Sequence, residues 1–178
     1  LADTVLPMLP HELSNGICSL NEGVDRLTIS CEMTINKQGK VLDHDIFLSV
    51  INSKKKMTYK NVNMILKENI IPNSYEPFVD KLKLMQELAN ILRKEKINRG
   101  YIDFDLDEAK IIQDENGKAI DVIKRTQDVG EKIIEDFMII ANETIATHVF
   151  NMDLPFFYRI HNKPNPEKIE DFLNFFKL

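Results

Sequence analysis

The stretch "LTISCEMTINKQGKVLDHDIFLSVI", Leu27 to Ile51, decides the fold class. Its opening alternates without a break. Leu27, Ile29, Cys31, Met33 and Ile35 lie on one side, Thr28, Ser30, Glu32 and Thr34 on the other. Successive side chains of an extended backbone point to opposite faces, so this pattern predicts a half-buried strand. "NKQGK", Asn36 to Lys40, supplies a hairpin loop. Val41 to Ile51 is the return strand, with Leu42, Ile46, Leu48 and Val50 expected inward. Asp43 and Asp45 share the other face with Val41 and Phe47, and read as solvated carboxylates near a turn.

Upstream of the hairpin, Leu6 to Leu27 is too ordered for a random loop and too broken for a helix or strand. Pro7 and Pro10 pin the backbone, and Asn15-Gly16 and Glu22-Gly23 mark turns. Leu6, Met8, Leu9, Leu13, Ile17 and Leu20 are too many apolar residues for a disordered segment. Downstream, Thr58 caps a short helix with Tyr59, Val62, Ile65 and Leu66 on its apolar side. Tyr75 to Asn98 reads as a long amphipathic helix, with Pro77 in its first turn. Its stripe is Phe78, Leu82, Met85, Leu88, Ile91 and Leu92. "RKEK" places positive charge in its last turn and Gly100 ends it. Short strands follow at Tyr101–Phe104, Ala109–Gln113 and Ala119–Arg125, the last two joined through Asn116-Gly117. A second long helix is expected over Gln127–Phe150, then a strand over Leu154–His161. Asn165 and Pro166 open a last helix to Phe176. The predicted class is α+β: antiparallel hairpins packed with long amphipathic helices.

The totals narrow the function. A chain of 178 residues suits one domain with a sizeable core. A net charge of −5 argues against nucleic-acid binding by bulk electrostatics, which needs Lys and Arg on phosphates, but leaves room for a local basic groove. Cys18 and Cys31 have no metal-ligand spacing and read as reduced thiols of a cytoplasmic protein. No run approaches the roughly 20 apolar residues of a membrane span, no secretory signal is visible, and Leu1 suggests a piece of a longer chain.

The second long helix carries the strongest polar signal. Ile134, Phe137, Met138, Ala141, Ile145 and Val149 cluster on one face, while Asp136, Glu143 and Thr147 lie opposite and read as solvated. Glu135 and Asn142 stack on one line bordering the apolar face, with Ile139 and Ala146 alongside. A carboxylate held there is either satisfied by buried partners or points into a cleft. Elsewhere the chemistry is sparse. There is no Gly-rich phosphate or dinucleotide loop, no HExxH and no GxSxG. His11, His44, His148 and His161 are scattered, and the carboxylates of "DFDLDE", Asp103–Glu108, alternate with Phe104 and Leu106. Tyr59, Tyr101, Phe104 and Tyr158 offer rings for packing or for base stacking.

The motifs go further than the composition. "LPMLPHELSNGICSLNEGVDRLTISCEM", "SKKKMTYKNVNMIL", "RGYIDFDLDEAKII", "KIIEDFMIIANETIA" and "FFYRIHNKP" together resemble the RNB exoribonuclease family, whose bacterial members are ribonuclease R and ribonuclease II. The similarity runs in family order over nearly the whole chain and is strongest to ribonuclease R. It implies a central part of one RNB catalytic domain, residues 1–178, truncated at both ends. It implies a processive, Mg²⁺-dependent 3′→5′ exoribonuclease that threads single-stranded RNA into a channel and releases nucleoside 5′-monophosphates. By motif, Phe104 matches the aromatic that packs on the 3′-terminal base. Tyr59 and Glu135 match channel residues that contact RNA and favour ribose. Asn142 is placed on the same helix line by geometry, and Arg159 and His161 sit in a family-like motif as channel-wall or phosphate contacts. The opening loop would wedge its apolar residues against the core and either shape the channel entrance or floor or serve as a rigid structural connector. The metal-binding aspartates are expected upstream, so the segment alone is expected to hold no Mg²⁺ and to leave RNA intact. The parent is expected to be a monomer with no dinucleotide cofactor. The alternative reading is a non-catalytic RNB-like RNA-binding or regulatory module. A third is a shared scaffold that binds other proteins.

Overall fold

The computed structural model describes residues 6–102, 108–114, 116–125, 127–160 and 162–176. It divides into two compact units, Leu1–Thr144 and Ile145–Leu178. The predicted hairpin is present. Strand β1, Asp25–Ile35, pairs antiparallel with β2, Val41–Asn52, in a register that sets Leu27 opposite Val50 and Ile29 opposite Leu48. Asn36 fixes the turn by accepting, through Oδ1, from the backbone N–H groups of Gln38 and Lys40. Gly39 adopts a positive φ of 82° there, and a Cβ on it would meet Glu95 Cβ at 3.1 Å.

The faces of the hairpin differ from the expectation. Cys31, Met33 and Ile35 are half-buried, and Thr144 Oγ1, which donates to the Ile140 carbonyl at 2.8 Å, touches Met33 Sδ at 3.3 Å. Leu27, Ile29, Leu42, Leu48 and Val50 are exposed. At this end the opposite face is the covered one: Ser49 shares hydroxyl hydrogen bonds with Thr28 and Ser30, all half-buried. Alternation identifies two faces but not which neighbour covers each half of a long strand. Asp43 and Asp45 are exposed, as expected.

The opening loop is likewise held by polar bonds and not by wedged apolar side chains. It makes a π-helical turn over Glu12–Ile17. The Arg26 guanidinium donates to the carbonyls of Ser19 and Gly16, and Gly23 N–H to that of Ser53. Leu6, Met8, Leu9, Leu13, Ile17 and Leu20 remain exposed.

Helix α1, Tyr59–Glu68, starts at the predicted cap, where Thr58 Oγ1 accepts from Asn61 N–H. The second helix starts later than predicted. Glu76–Phe78, containing Pro77, forms a separate 3-10 turn, and α2 runs over Val79–Asn98. Val62 and Ile65 of α1, Tyr75, and Leu82 of α2 make the buried core, with Met57, Leu66, Phe78, Val79 and Met85 packed around it. Tyr75 belongs to that core instead of to the helix. Its hydroxyl accepts from Asn61 Nδ2 at 3.1 Å.

Tyr101 and Ile102 lie in no strand, and the rest of the strand expected over Tyr101–Phe104 falls outside the described residues. Strand β3, Glu108–Gln113, pairs antiparallel with β4, Ala119–Arg125. Helix α3 spans Val129–Asn151. At its start, Asp128 Oδ1 accepts from Val129 N–H while Glu131 Oε2 accepts from Asp128 N–H, the return half of a capping box. In the second unit, Leu154–Ile160 is not the expected strand. Tyr158 instead packs edge-on against Phe150 and Phe156. Helix α4, Pro166–Phe175, has the predicted cap, Asn165 Oδ1 accepting from Glu167 N–H. Among the described residues no helix is long and apolar enough to cross a membrane.

Candidate functional site

The polar centre of the larger unit lies between the end of α2 and the middle of α3. On α2 the apolar stripe steps by three and four residues through Leu82, Met85, Ala89 and Leu92. The next step is Lys96, which is 8% exposed. On α3 the buried line is Ile133, Asp136 and Thr144, rotated away from the apolar face that the sequence suggested. Asp136, expected to be solvated, is 3% exposed. Its two oxygens are divided: Arg93 Nε donates to Oδ2 at 3.0 Å and Lys96 Nζ to Oδ1 at 3.2 Å. A carboxylate taken out of water needs such partners, and two cations of α2 supply them. Ile134 and Met138, by contrast, are exposed.

Glu135 stands beside this pair and is one-third exposed. Its Oε1 accepts from Lys96 Nζ at 3.3 Å and lies 4.0 Å from Arg93 Nη2. The sequence left Glu135 a choice between buried partners and a cleft. The structure gives it cationic partners on one oxygen and solvent access on the side chain. Lys96 Nζ also sits over the ring of Tyr101, 4.0 Å from its centroid. Burial would lower the Lys96 pKa, but Asp136, then Glu135 and Tyr101, outweigh it and hold the ammonium above its ordinary value. At the far end of the seam Arg99 reaches Glu143 at 3.3 Å, an exposed contact.

Tyr59, the first residue of α1, lines a cavity of about 510 Å³ with Met57, Val62, Leu82 and Met85. The cavity reaches α3 at Gly130, Ile133 and Ile134, the last of these preceding Glu135. Gly130 permits this approach. Its N–H donates to Asn63 Oδ1 at 2.7 Å, and a Cβ there would meet that oxygen at 3.1 Å and Tyr59 Cδ1 at 3.4 Å. Asn142 is exposed two turns along α3 from Glu135. Arg159 is exposed in the second unit. Phe104 and His161 fall outside the described residues.

The structure thus adds Arg93, Lys96 and Asp136 to the residues the motifs single out. For Lys96 the signal was a stripe with three- and four-residue steps that runs on into a charged residue. Mg²⁺ needs oxygen ligands with room for several waters. Asp136 and Glu135 turn oxygens to an ammonium and a guanidinium, and among the described residues no group of three His, Cys, Asp or Glu is placed to hold a metal. The described side chains therefore do not fit Mg²⁺.

The RNB domain model matches residues 1–177. The chain belongs to the RNB family. Ribonuclease R of Thermotoga maritima is 50% identical over 98% of the chain, and that of Escherichia coli 39% identical over 94%. The RNB segment described here spans about a quarter of these relatives, 25% and 21% of their lengths. Among solved structures, Mycoplasma genitalium RNase R in complex with ribose methylated single-stranded RNA superposes with a TM-score of 0.89 at 32% identity, over 94% of this chain and 26% of that one. The same enzyme in complex with double-stranded RNA gives 0.90 at 31%, over 96% and 30%. Yeast Ssd1, a pseudonuclease, gives 0.71 at 17% identity over 99% of this chain and 21% of that one, which is a likeness of fold alone. The α+β class and the family expected from the motifs agree with these matches.

Proposed function

We propose that this chain is a channel-forming segment of an exoribonuclease that degrades single-stranded RNA from its 3′ end, processively, to nucleoside 5′-monophosphates. The observation that carries the reading is Glu135. Within an RNB chain it sits on α3, with one oxygen held by Lys96 and its side chain one-third exposed. A carboxylate can accept a hydrogen bond from a 2′-hydroxyl, the group that separates RNA from DNA. Tyr59 supports the reading from α1, where it lines a cavity of about 510 Å³ that reaches α3 at Gly130, Ile133 and Ile134. Asn142 extends the same line of α3, and Arg159 and His161 are assigned to the channel wall or to phosphate. Phe104 is assigned to packing on the terminal base. Chemistry at the phosphodiester requires Mg²⁺ held by residues other than those described here.

The test uses the full-length parent with Mg²⁺ and a 5′-labelled single-stranded RNA, followed on a gel. Progressive shortening from the 3′ end to a short limit product, stopped by EDTA, is the expected result. RNA that is bound and left intact would replace this reading with the non-catalytic RNB-like module. The isolated 178-residue chain is expected to leave the same RNA intact.

A further inference from the structure

The two oxygens of Glu135 are not equivalent. Among the described residues, Lys96 at 3.3 Å and Arg93 at 4.0 Å approach Oε1, and no hydrogen bond falls on Oε2. Lys96 is itself immobilised. Its side chain is 10% exposed, its ammonium spans Glu135 and Asp136, and the Tyr101 ring closes a third side. A free surface glutamate would sample several rotamers, and ordering it on a ligand would cost binding energy. Here the Lys96 contact supplies part of that ordering before any ligand arrives.

We propose that Lys96 is a positioning residue that anchors Oε1 of Glu135 and so presents Oε2 to the ribose 2′-hydroxyl. The inference rests on the assignment of Glu135 to ribose contact. Lys96 touches no substrate in this scheme. It sets the direction of a hydrogen bond that another residue makes, and its effect belongs to sugar discrimination.

Lys96→Met alone leaves Asp136 buried with one cation fewer and is prone to unfold. The informative variant is therefore the double substitution Lys96→Met with Asp136→Asn, which removes the buried charge pair together and leaves Glu135 with only the longer, 4.0 Å contact to Arg93. Both substitutions are made in the full-length parent, alongside Glu135→Ala and Lys96→Arg. Each is assayed on an all-ribose strand and on one carrying a single 2′-deoxy residue, with kcat and KM measured separately and melting checked.

The double variant is expected to melt close to the parent and to lose about tenfold of the ribose-over-deoxyribose preference, the equivalent of about 1.4 kcal/mol. The loss should lie in KM for the all-ribose strand, with kcat on the deoxy-containing strand unchanged. Lys96→Arg should restore most of the preference. If Glu135→Ala abolishes discrimination while the double variant keeps it in full, the positioning role is wrong and the glutamate's role stands. If Glu135→Ala discriminates as the parent does, the assignment of Glu135 fails, and the Lys96 proposal fails with it.

Discussion

Two regions of the larger unit contrast. In the seam between α2 and α3, charged side chains are buried where periodicity pointed to solvent, and Arg93 and Lys96 neutralise Asp136 there. On the early half of the β1–β2 hairpin, Leu27, Ile29, Leu48 and Val50 are exposed where alternation pointed to a core. One region hides charge and the other shows hydrocarbon. Periodicity reports that an element has two faces. Which face is covered depends on the neighbour, and a neighbour that carries cations selects a carboxylate over an isoleucine.

The sharpest way to break this contrast is Asp136→Ala. It removes the buried anion between Arg93 and Lys96, leaving them only the part-exposed Glu135, and should cost about 3–5 kcal/mol of unfolding free energy, measured by denaturant titration. A loss below about 1 kcal/mol, the range of exposed pairs, would mean that the seam is solvated after all. Alkali probes the same cluster. The folded-state pKa of Lys96 is raised, so its contribution is complete below the ordinary lysine pKa of 10.5 and is lost as pH rises through the raised value. Wild-type melting should therefore fall at strongly alkaline pH by more than that of the Lys96→Met with Asp136→Asn variant.

A smaller effect is expected at the start of α3. Removing Asp128 by substitution to Ala takes away a helix-start hydrogen bond and should cost about 1 kcal/mol. The hydrogen bond and ion pair from Lys67 hold the Asp128 carboxylate below its usual range, against burial. That contribution is present above pH 3.8 and fades as pH falls through the lowered folded-state pKa, so the penalty of Asp128→Ala should shrink in acid. The smallest effect is on the bare hairpin. Leu27→Thr with Leu48→Thr should change the stability of the 178-residue chain by no more than about 0.5 kcal/mol. Repeating the pair of substitutions in the longer parent sharpens the comparison: a much larger loss there would identify this face as a contact made by the rest of the protein.

Much of the architecture was legible because its signals are local. The hairpin turn, the Thr58 and Asn165 caps and β4 stand where turn and capping chemistry put them. The misplacements have physical causes. Pro77 was compatible with a helical first turn, but the chain uses it in a 3-10 turn that frees Tyr75 to enter the core. The aromatic run Leu154–Ile160 has strand propensity but pairs with no strand, and Tyr158 gains ring contacts with Phe150 and Phe156. At the site, Glu135 was legible from its position beside an apolar face. Lys96 was not, because a lysine in a helix's last turn has an equally good local explanation in the helix dipole. Only the carboxylates of α3, some forty residues away in sequence, show why it is buried.

The most direct measurement is the ribose preference of the parent and of its Glu135→Ala variant on a 5′-labelled strand with one internal 2′-deoxy residue. The parent is expected to pause when the deoxy residue reaches the site, and Glu135→Ala to pass it with no added delay relative to its all-ribose rate. An identical pause in both proteins would contradict the assignment of Glu135 to the sugar.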